Sequence, residues 1–249
     1  MNYKPYPTEF WNLIQEKVSQ LKSQNKKLIA AFDADGTLWD ADLGENFFQY
    51  QIDCKSVPLP PNAFDHYLDM KKINDDPQAA FMWLAQINKG CLISDVNTWA
   101  QKAFNQILPN PLFSEQKKLV ELLLKNDVKI YIVTASIKWA VVPGALALGL
   151  TADDVIGVET EINDQFISDI AIHPITYKQG KVLALLNKTN GDLPFLCSGN
   201  SMGDFELLKS ATEVKLVVSA ASADDPNYRT EMELIYEAKK NNWNYHRFI

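Results

Sequence analysis

Two acidic residues separated by one small residue, Asp33-Ala34-Asp35, are followed at once by Gly36-Thr37. A carboxylate in such a place can attack an electrophilic phosphorus and become an acyl phosphate. A second carboxylate two residues on can give a proton to the leaving oxygen and later take one from water. Further along, Thr134-Ala135-Ser136 offers a hydroxyl and a backbone amide, both suited to a phosphoryl oxygen. Lys181 follows Gly180 at the start of an apolar helical pattern, where an ammonium and a helix N-terminus favour an anion together. Gly199-Asn200-Ser-Met-Gly-Asp204 adds an amide and another carboxylate. Mg²⁺ takes hard oxygen ligands, one or two of them carboxylates, and Asp33, the Asp35 carbonyl and Asp204 meet that demand.

Each of these residues sits at the end of an apolar run or the start of a helical one. Leu28-Ile-Ala-Ala-Phe32 reads as a buried strand that stops at Asp33. Lys129-Ile-Tyr-Ile-Val133 leads to Thr134, Pro194-Phe-Leu-Cys197 leads to the Gly199 loop, and 214–218 forms a fourth strand. Helical patterns precede or separate them, over 8–23 with Thr8 as N-cap, 114–125, 181–187 and 204–209. Strands alternating with helices predict an α/β fold, a doubly wound parallel sheet. In such sheets ligands bind beyond the carboxyl ends of the strands, where all these residues fall. Between the first two strands the pattern changes. Helical stretches over 45–51, 63–72, 77–88 and 96–107, divided by Pro and Gly turn signals, predict a helical insertion of roughly 70 residues. A hairpin is expected over 155–172, turning at Asn163-Asp164.

With these motifs in order, the sequence resembles the haloacid dehalogenase superfamily of phosphohydrolases. Asp33-Ala-Asp-Gly-Thr-Leu38 matches its first motif, Thr134 the second and Lys181 the third; Gly199-Asn-x-x-x-Asp204 is similar to the fourth. The resemblance implies a Rossmann-like core over 1–40 and 114–249, with a helical C1 cap over 41–113. It implies Asp33 as nucleophile, Asp35 as acid/base, and Thr134, Ala135 and Lys181 as phosphate-binding. Mg²⁺ would be held by Asp33, Asp35, Asp204 and Asn200. Asn200 stands where the family usually has a carboxylate, which removes a negative charge beside the metal. Lys178, just before Gln179-Gly180, is the alternative for the third motif; Lys181 is favoured because it begins the helical pattern.

The stretch Leu38-Trp39-Asp-Ala-Asp42-Leu-Gly-Glu45 looks like the phosphoserine and phosphorylcholine phosphatase branch. In that branch an acidic residue just past the first motif contacts the substrate's amino group, making Asp42, Glu45 and Trp39 the specificity candidates. Aromatic residues run through the insertion from Trp39 to Phe113, and aromatic faces with a carboxylate suit a quaternary ammonium. No Arg precedes Arg229, which counts against a substrate carboxylate. The expected function is Mg²⁺-dependent hydrolysis of a small phosphomonoester, phosphocholine-like compounds first. A phosphoserine-type phosphatase, a phosphotransferase and a catalytically weak binding protein on the same scaffold are the alternatives.

Composition narrows the partners. The 249 residues carry 24 Lys plus Arg against 31 Asp plus Glu, a net charge of −7, so nucleic acid is not an expected partner. Three scattered cysteines, Cys54, Cys91 and Cys197, give no zinc or disulfide pattern. No apolar run approaches the ~20 residues of a membrane span, and the first seven residues lack a signal-like apolar stretch, so no membrane partner and a cytoplasmic location are expected, with a periplasmic or secreted one the alternative if a leader has been removed. The sequence leaves monomer and homodimer open.

Overall fold

A strand sandwiched between two helical layers must be apolar on both faces. Leu28 to Phe32 meets that condition and becomes the centre of the fold. The computed structural model describes residues 3–249, so residues 1–2 of the N-terminal stretch lie outside the described residues. The chain runs α1 (Thr8–Ser23), β1 (Ile29–Phe32), then the insertion helices α2 (Leu43–Cys54), α3 (Ala63–Lys71), α4 (Gln78–Gln86) and α5 (Ile93–Asn105). After it come α6 (Ser114–Lys125), β2 (Lys129–Ile137), α7 (Lys138–Ala147), β3 (Val155–Val158), β4 (Thr160–Asn163) and β5 (Phe166–Ala171). The chain closes with α8 (Gln179–Thr189), β6 (Leu196–Gly199), α9 (Phe205–Ser210), β7 (Val214–Ser219), α10 (Tyr228–Lys240) and β8 (Asn244–Arg247).

Six strands form one sheet in the order β3-β2-β1-β6-β7-β8, every neighbouring pair parallel. Chain order reverses between β1 and β6, so the crevice for a ligand lies at their carboxyl ends. Strand alternation divides the core. Ala30, Phe32, Ile130, Ile132 and Leu216 face one layer with Ile14 and Val18 of α1 and Leu119 and Leu123 of α6. Ile29, Ala31, Val133 and Val217 face the other, against Leu185 of α8, Leu207 of α9 and Leu234 of α10.

The insertion packs on itself through Phe47, Phe48, Tyr67, Met82, Leu84 and Val96, and onto Trp139 of α7 and Ile167 of β5. Its two connections to the sheet are hydrogen-bonded to each other: Phe113 N donates to Leu38 O at 3.1 Å and Asp40 N to Pro111 O at 2.9 Å.

Two sequence expectations change. The first part of the expected hairpin, Val155–Val158, joins the main sheet as the parallel edge strand β3; only β4 and β5 form the hairpin, turning at Asp164 and Gln165, both at positive φ. Val155 and Val158 are buried, whereas residues 161–163 and Phe166 are exposed, so burial separates the two roles. At the start of α1 the cap is Pro7, with φ −64° and extended ψ, and Thr8 is already helical without a side-chain cap bond.

Candidate active site

Asp33 leaves β1 with its backbone N–H donating to Ser198 O of β6 at 2.9 Å, which fixes it over the switch point. Its Oδ1 accepts from Lys181 Nζ at 2.6 Å and its Oδ2 from Thr37 Oγ1 at 3.0 Å. Lys181 also donates to Asp204 Oδ1 at 2.5 Å. All three groups are buried, and buried charges persist only when paired. Asp204 is held in turn by the N–H groups of Asn200 and Ser201, at 3.1 and 3.0 Å to its Oδ2. Gln116 of α6 donates to Thr37 O at 3.0 Å, tying the Asp33 loop to the helical layer.

Lys181, and not Lys178, is the lysine of this cluster. Lys178 is exposed at the N-cap of α8 with its Nζ 5.0 Å from the Tyr177 ring, while Lys181 sits one turn inside and points to the sheet. Burial, then the charge of Asp204, raises the Asp33 carboxyl to about 7 against the pull of Lys181. Burial works against the Lys181 ammonium, and the Asp204 and Asp33 charges overcome it and raise its pKa.

Asp35 accepts at Oδ1 from Trp39 Nε1 at 2.7 Å and Leu43 N at 2.9 Å, and at Oδ2 from Ser136 Oγ at 2.5 Å. Burial still raises its pKa despite these donors and Lys181, which suits a group that must carry a proton. Trp39, expected among the specificity residues, is fully buried and spends its indole N–H on Asp35. Gly144 makes the room: a Cβ there would lie 2.7 Å from the Trp39 ring. Trp39 therefore positions Asp35 and does not face the cleft.

Thr134 and Ala135 lie where β2 breaks step with β3. The register passes from Val133↔Ile156 to Ile137↔Val158, so three residues of β2 oppose one of β3. Such a bulge re-aims side chains at a sheet rim. Thr134 Oγ1 accepts from Ser136 N at 3.0 Å, and both Thr134 and Ala135 line the cleft. Ser136 was not singled out by the sequence beyond its place after Thr134; its hydroxyl bond to Asp35 is a product of the bulge.

Asn200 completes the floor. Thr37 Oγ1 lies 3.3 Å from Asn200 Oδ1, and Asn200 Nδ2 donates to Glu231 Oε1 of α10 at 2.9 Å. Gly36, at φ +73°, is required here because a Cβ would fall 2.1 Å from Asn200 Nδ2. Glu231 carries no sequence signal; it is one of several acidic residues on an amphipathic helix. Among the described residues no three His, Cys, Asp or Glu side chains converge as a ligand set. The candidate set for a divalent cation is instead two carboxylates, Asp33 and Asp204, with the Asn200 carboxamide and the Asp35 carbonyl. These are all hard oxygen donors from residues lining one cleft, which fits Mg²⁺.

The cleft holds about 350 Å³ and is closed opposite the sheet by Asp42, Tyr67, Lys71, Phe81 and Leu84 of the insertion. Asp42 caps α2, accepting from Glu45 N at 2.8 Å. Its carboxyl is exposed at the cleft, where partial desolvation by the surrounding walls, then the Asp35 and Glu45 charges, raises its pKa above the ordinary range. Glu45 does not line the cleft and pairs with Lys71 Nζ at 2.8 Å. Lys71 Nζ also stands 5.2 Å from the Tyr67 ring centroid. Of the expected aromatics, Tyr67 and Phe81 reach the cleft, whereas Phe48, Phe64 and Trp83 stack among themselves.

A family model described as haloacid dehalogenase-like hydrolase matches residues 30–209. No curated protein matches the chain in sequence. Among solved structures, a protein of unknown function from Bordetella pertussis Tohama I superposes with a TM-score of 0.71 at 17% identity, over 90% of this chain and 99% of that one. A conserved functionally unknown protein from Anaerococcus prevotii DSM 20548 gives 0.67 at 16%, over 94% and 91%. A probable phosphoserine phosphatase from Vibrio cholerae gives 0.60 at 13%, over 94% and 69%. At these identities the likeness is one of fold.

Proposed function

The chain belongs to the haloacid dehalogenase-like hydrolase family, and on that footing we propose that it is a Mg²⁺-dependent phosphomonoesterase acting through transient phosphorylation of Asp33. One observation carries the reading. A buried carboxylate at the switch point, gripped by Lys181 and Thr37, lines one cleft with Asp35 and Thr134.

The Asp33 carboxylate attacks phosphorus, the bond from phosphorus to the ester oxygen breaks, and protonated Asp35 gives its proton to the departing oxygen. Asp35, now ionised, takes a proton from water as that water attacks the phosphorus of the acyl phosphate, releasing inorganic phosphate and free Asp33. The Lys181 ammonium, the Thr134 hydroxyl and the Ala135 amide hold the phosphoryl oxygens. Trp39, Leu43 and Ser136 keep Asp35 in one orientation through both steps. Bound Mg²⁺, held by Asp33, Asp204, Asn200 and the Asp35 carbonyl, supplies charge neutralisation for the phosphoryl group.

The segment 41–113 serves as a cap domain on a core of 1–40 and 114–249. Its paired connections and its own apolar cluster support that division. A cleft of about 350 Å³ beneath it suits a small metabolite. Asp42 is the cap carboxylate open to the cleft, so phosphocholine and phosphoethanolamine lead a substrate panel that also holds phosphoserine and a sugar phosphate. Purified protein with Mg²⁺ releases phosphate from an aryl phosphate and from at least one panel member, and Asp33→Asn does not. Equal inertness of both proteins across the panel overturns the reading.

A further inference from the structure

A neutral Asn200 beside a cation leaves two questions: which amide atom faces the cation, and what replaces the missing charge. We propose that Glu231 answers both, as the positioning residue that turns Asn200 Oδ1 toward the cation and supplies, one residue further back, the negative charge that Asn200 lacks. The inference rests on the Mg²⁺ reading of the site given above.

Glu231 is buried in the cleft floor. Its Oε2 is saturated by donors, Ser219 Oγ at 2.7 Å and the Ala221 and Ala220 amides at 3.0 and 3.2 Å. Its Oε1 is left for Asn200 Nδ2 at 2.9 Å. An ionised carboxylate only accepts, so the Asn200 amide must present nitrogen to it and oxygen to the other side, where Thr37 Oγ1 lies. The carboxamide nitrogen lies over Gly36 in space that any side chain there would fill. Thr37 Oγ1 stands between Asn200 Oδ1, at 3.3 Å, and Asp33 Oδ2, at 3.0 Å, and its single proton serves one of these acceptors at a time. Partners one step behind a ligand set its orientation and basicity.

The arrangement predicts a specific pattern of exchange. In Glu231→Gln, the Gln oxygen stays on Ser219, Ala220 and Ala221, and its nitrogen faces Asn200. Asn200 must then turn its oxygen back to Gln and its N–H₂ toward the cation. In Asn200→Asp, two carboxylates meet at hydrogen-bond distance, and a proton is trapped between them. In the double variant N200D/E231Q, the Gln nitrogen donates to one Asp oxygen and the other faces the cation.

Calorimetric titration with Mg²⁺ alone, on the full chain and without substrate, reads this directly. Glu231→Gln weakens Mg²⁺ binding by ~10–100-fold, Asn200→Asp also weakens it, and the double variant recovers affinity toward that of wild type. Recovery separates orientation from bulk packing, since two damaging structural changes would add. Binding by Glu231→Gln as tight as wild type, or a double variant no better than either single one, overturns the inference while leaving the phosphatase reading intact. Absence of Mg²⁺ binding by wild type overturns both.

Discussion

At Asp33, burial and the neighbouring Asp204 charge oppose Lys181, and the balance decides when the carboxyl ionises. Its pKa stands at about 7 in the folded chain and about 4 unfolded. A raised carboxyl favours the fold when protonated, so its contribution is whole below about pH 4 and is lost as pH climbs through about 7. Lys181 is raised too and stays charged across that window, so its own contribution does not change there. In metal-free buffer the melting temperature of Asp33→Asn, compared with wild type, accordingly moves in the variant's favour by several degrees between acid and mildly alkaline pH. A pH-independent difference contradicts this electrostatic reading. Trp39→Phe keeps the buried ring but removes the N–H on Asp35, a bond of about 1.5–3 kcal/mol to a charged group. It is expected to lower kcat by about tenfold or more with KM little changed; a change confined to KM contradicts the positioning role. Asp33, Asp35, Thr134, Lys181 and Asp204 were legible in sequence because each follows an apolar run or opens a helix. Ser136 and Glu231 were not, because their meaning arises from a strand bulge and from a helix folded back over the sheet.

Elements position these side chains by where the chain reverses. β1, β2 and β6 are adjacent although far apart in sequence, and their carboxyl ends converge on Asp33, Thr134 and Asn200. The apolar runs of these strands are visible in the sequence because a strand covered on both faces leaves no room for polar residues. β3 was hidden because Val155-Ile-Gly-Val158 merges with the hairpin that follows, and β8 because Asn-Tyr-His-Arg is polar at a sheet edge. Insertion helices were legible from spacing and turn signals, yet the contents of the cleft were not. Lys71 on α3 covers Tyr67 and holds Glu45, which crowds the place assigned to an ammonium group. Lys71→Met vacates both, and should lower KM for phosphocholine and phosphoethanolamine relative to an aryl phosphate. Asp42→Asn should raise KM for the same amines and leave the aryl phosphate unchanged, apart from a small loss at the α2 cap. Parallel changes for charged and uncharged leaving groups would remove Asp42 and Lys71 from substrate selection.

For the whole molecule, cation binding and folding are linked. A ligand that binds only the folded chain stabilises it by about 2.7 kcal/mol at 100 times its dissociation constant. Two buried carboxylates, Asp33 and Asp204, face each other across one lysine, so the metal-free fold carries excess negative charge at its centre. Saturating Mg²⁺ is therefore expected to raise the melting temperature by a few degrees, EDTA to reverse the rise, and Asp204→Asn to blunt it. An unchanged melting temperature in wild type would mean that no divalent cation occupies this cleft. No helix among the described residues is long and apolar enough to cross a membrane. The chain carries a net charge of −7.

The most direct measurement is a crystal structure of the wild-type protein grown with saturating Mg²⁺ and fluoroberyllate, a mimic of a phosphoryl group on a carboxylate. Beryllium bonded to an Asp33 carboxylate oxygen, with its fluorines against Lys181 and Thr134, is the predicted result. Beryllium on Asp35, or none at the end of β1, would contradict the assignment of Asp33 as the phosphorylated residue.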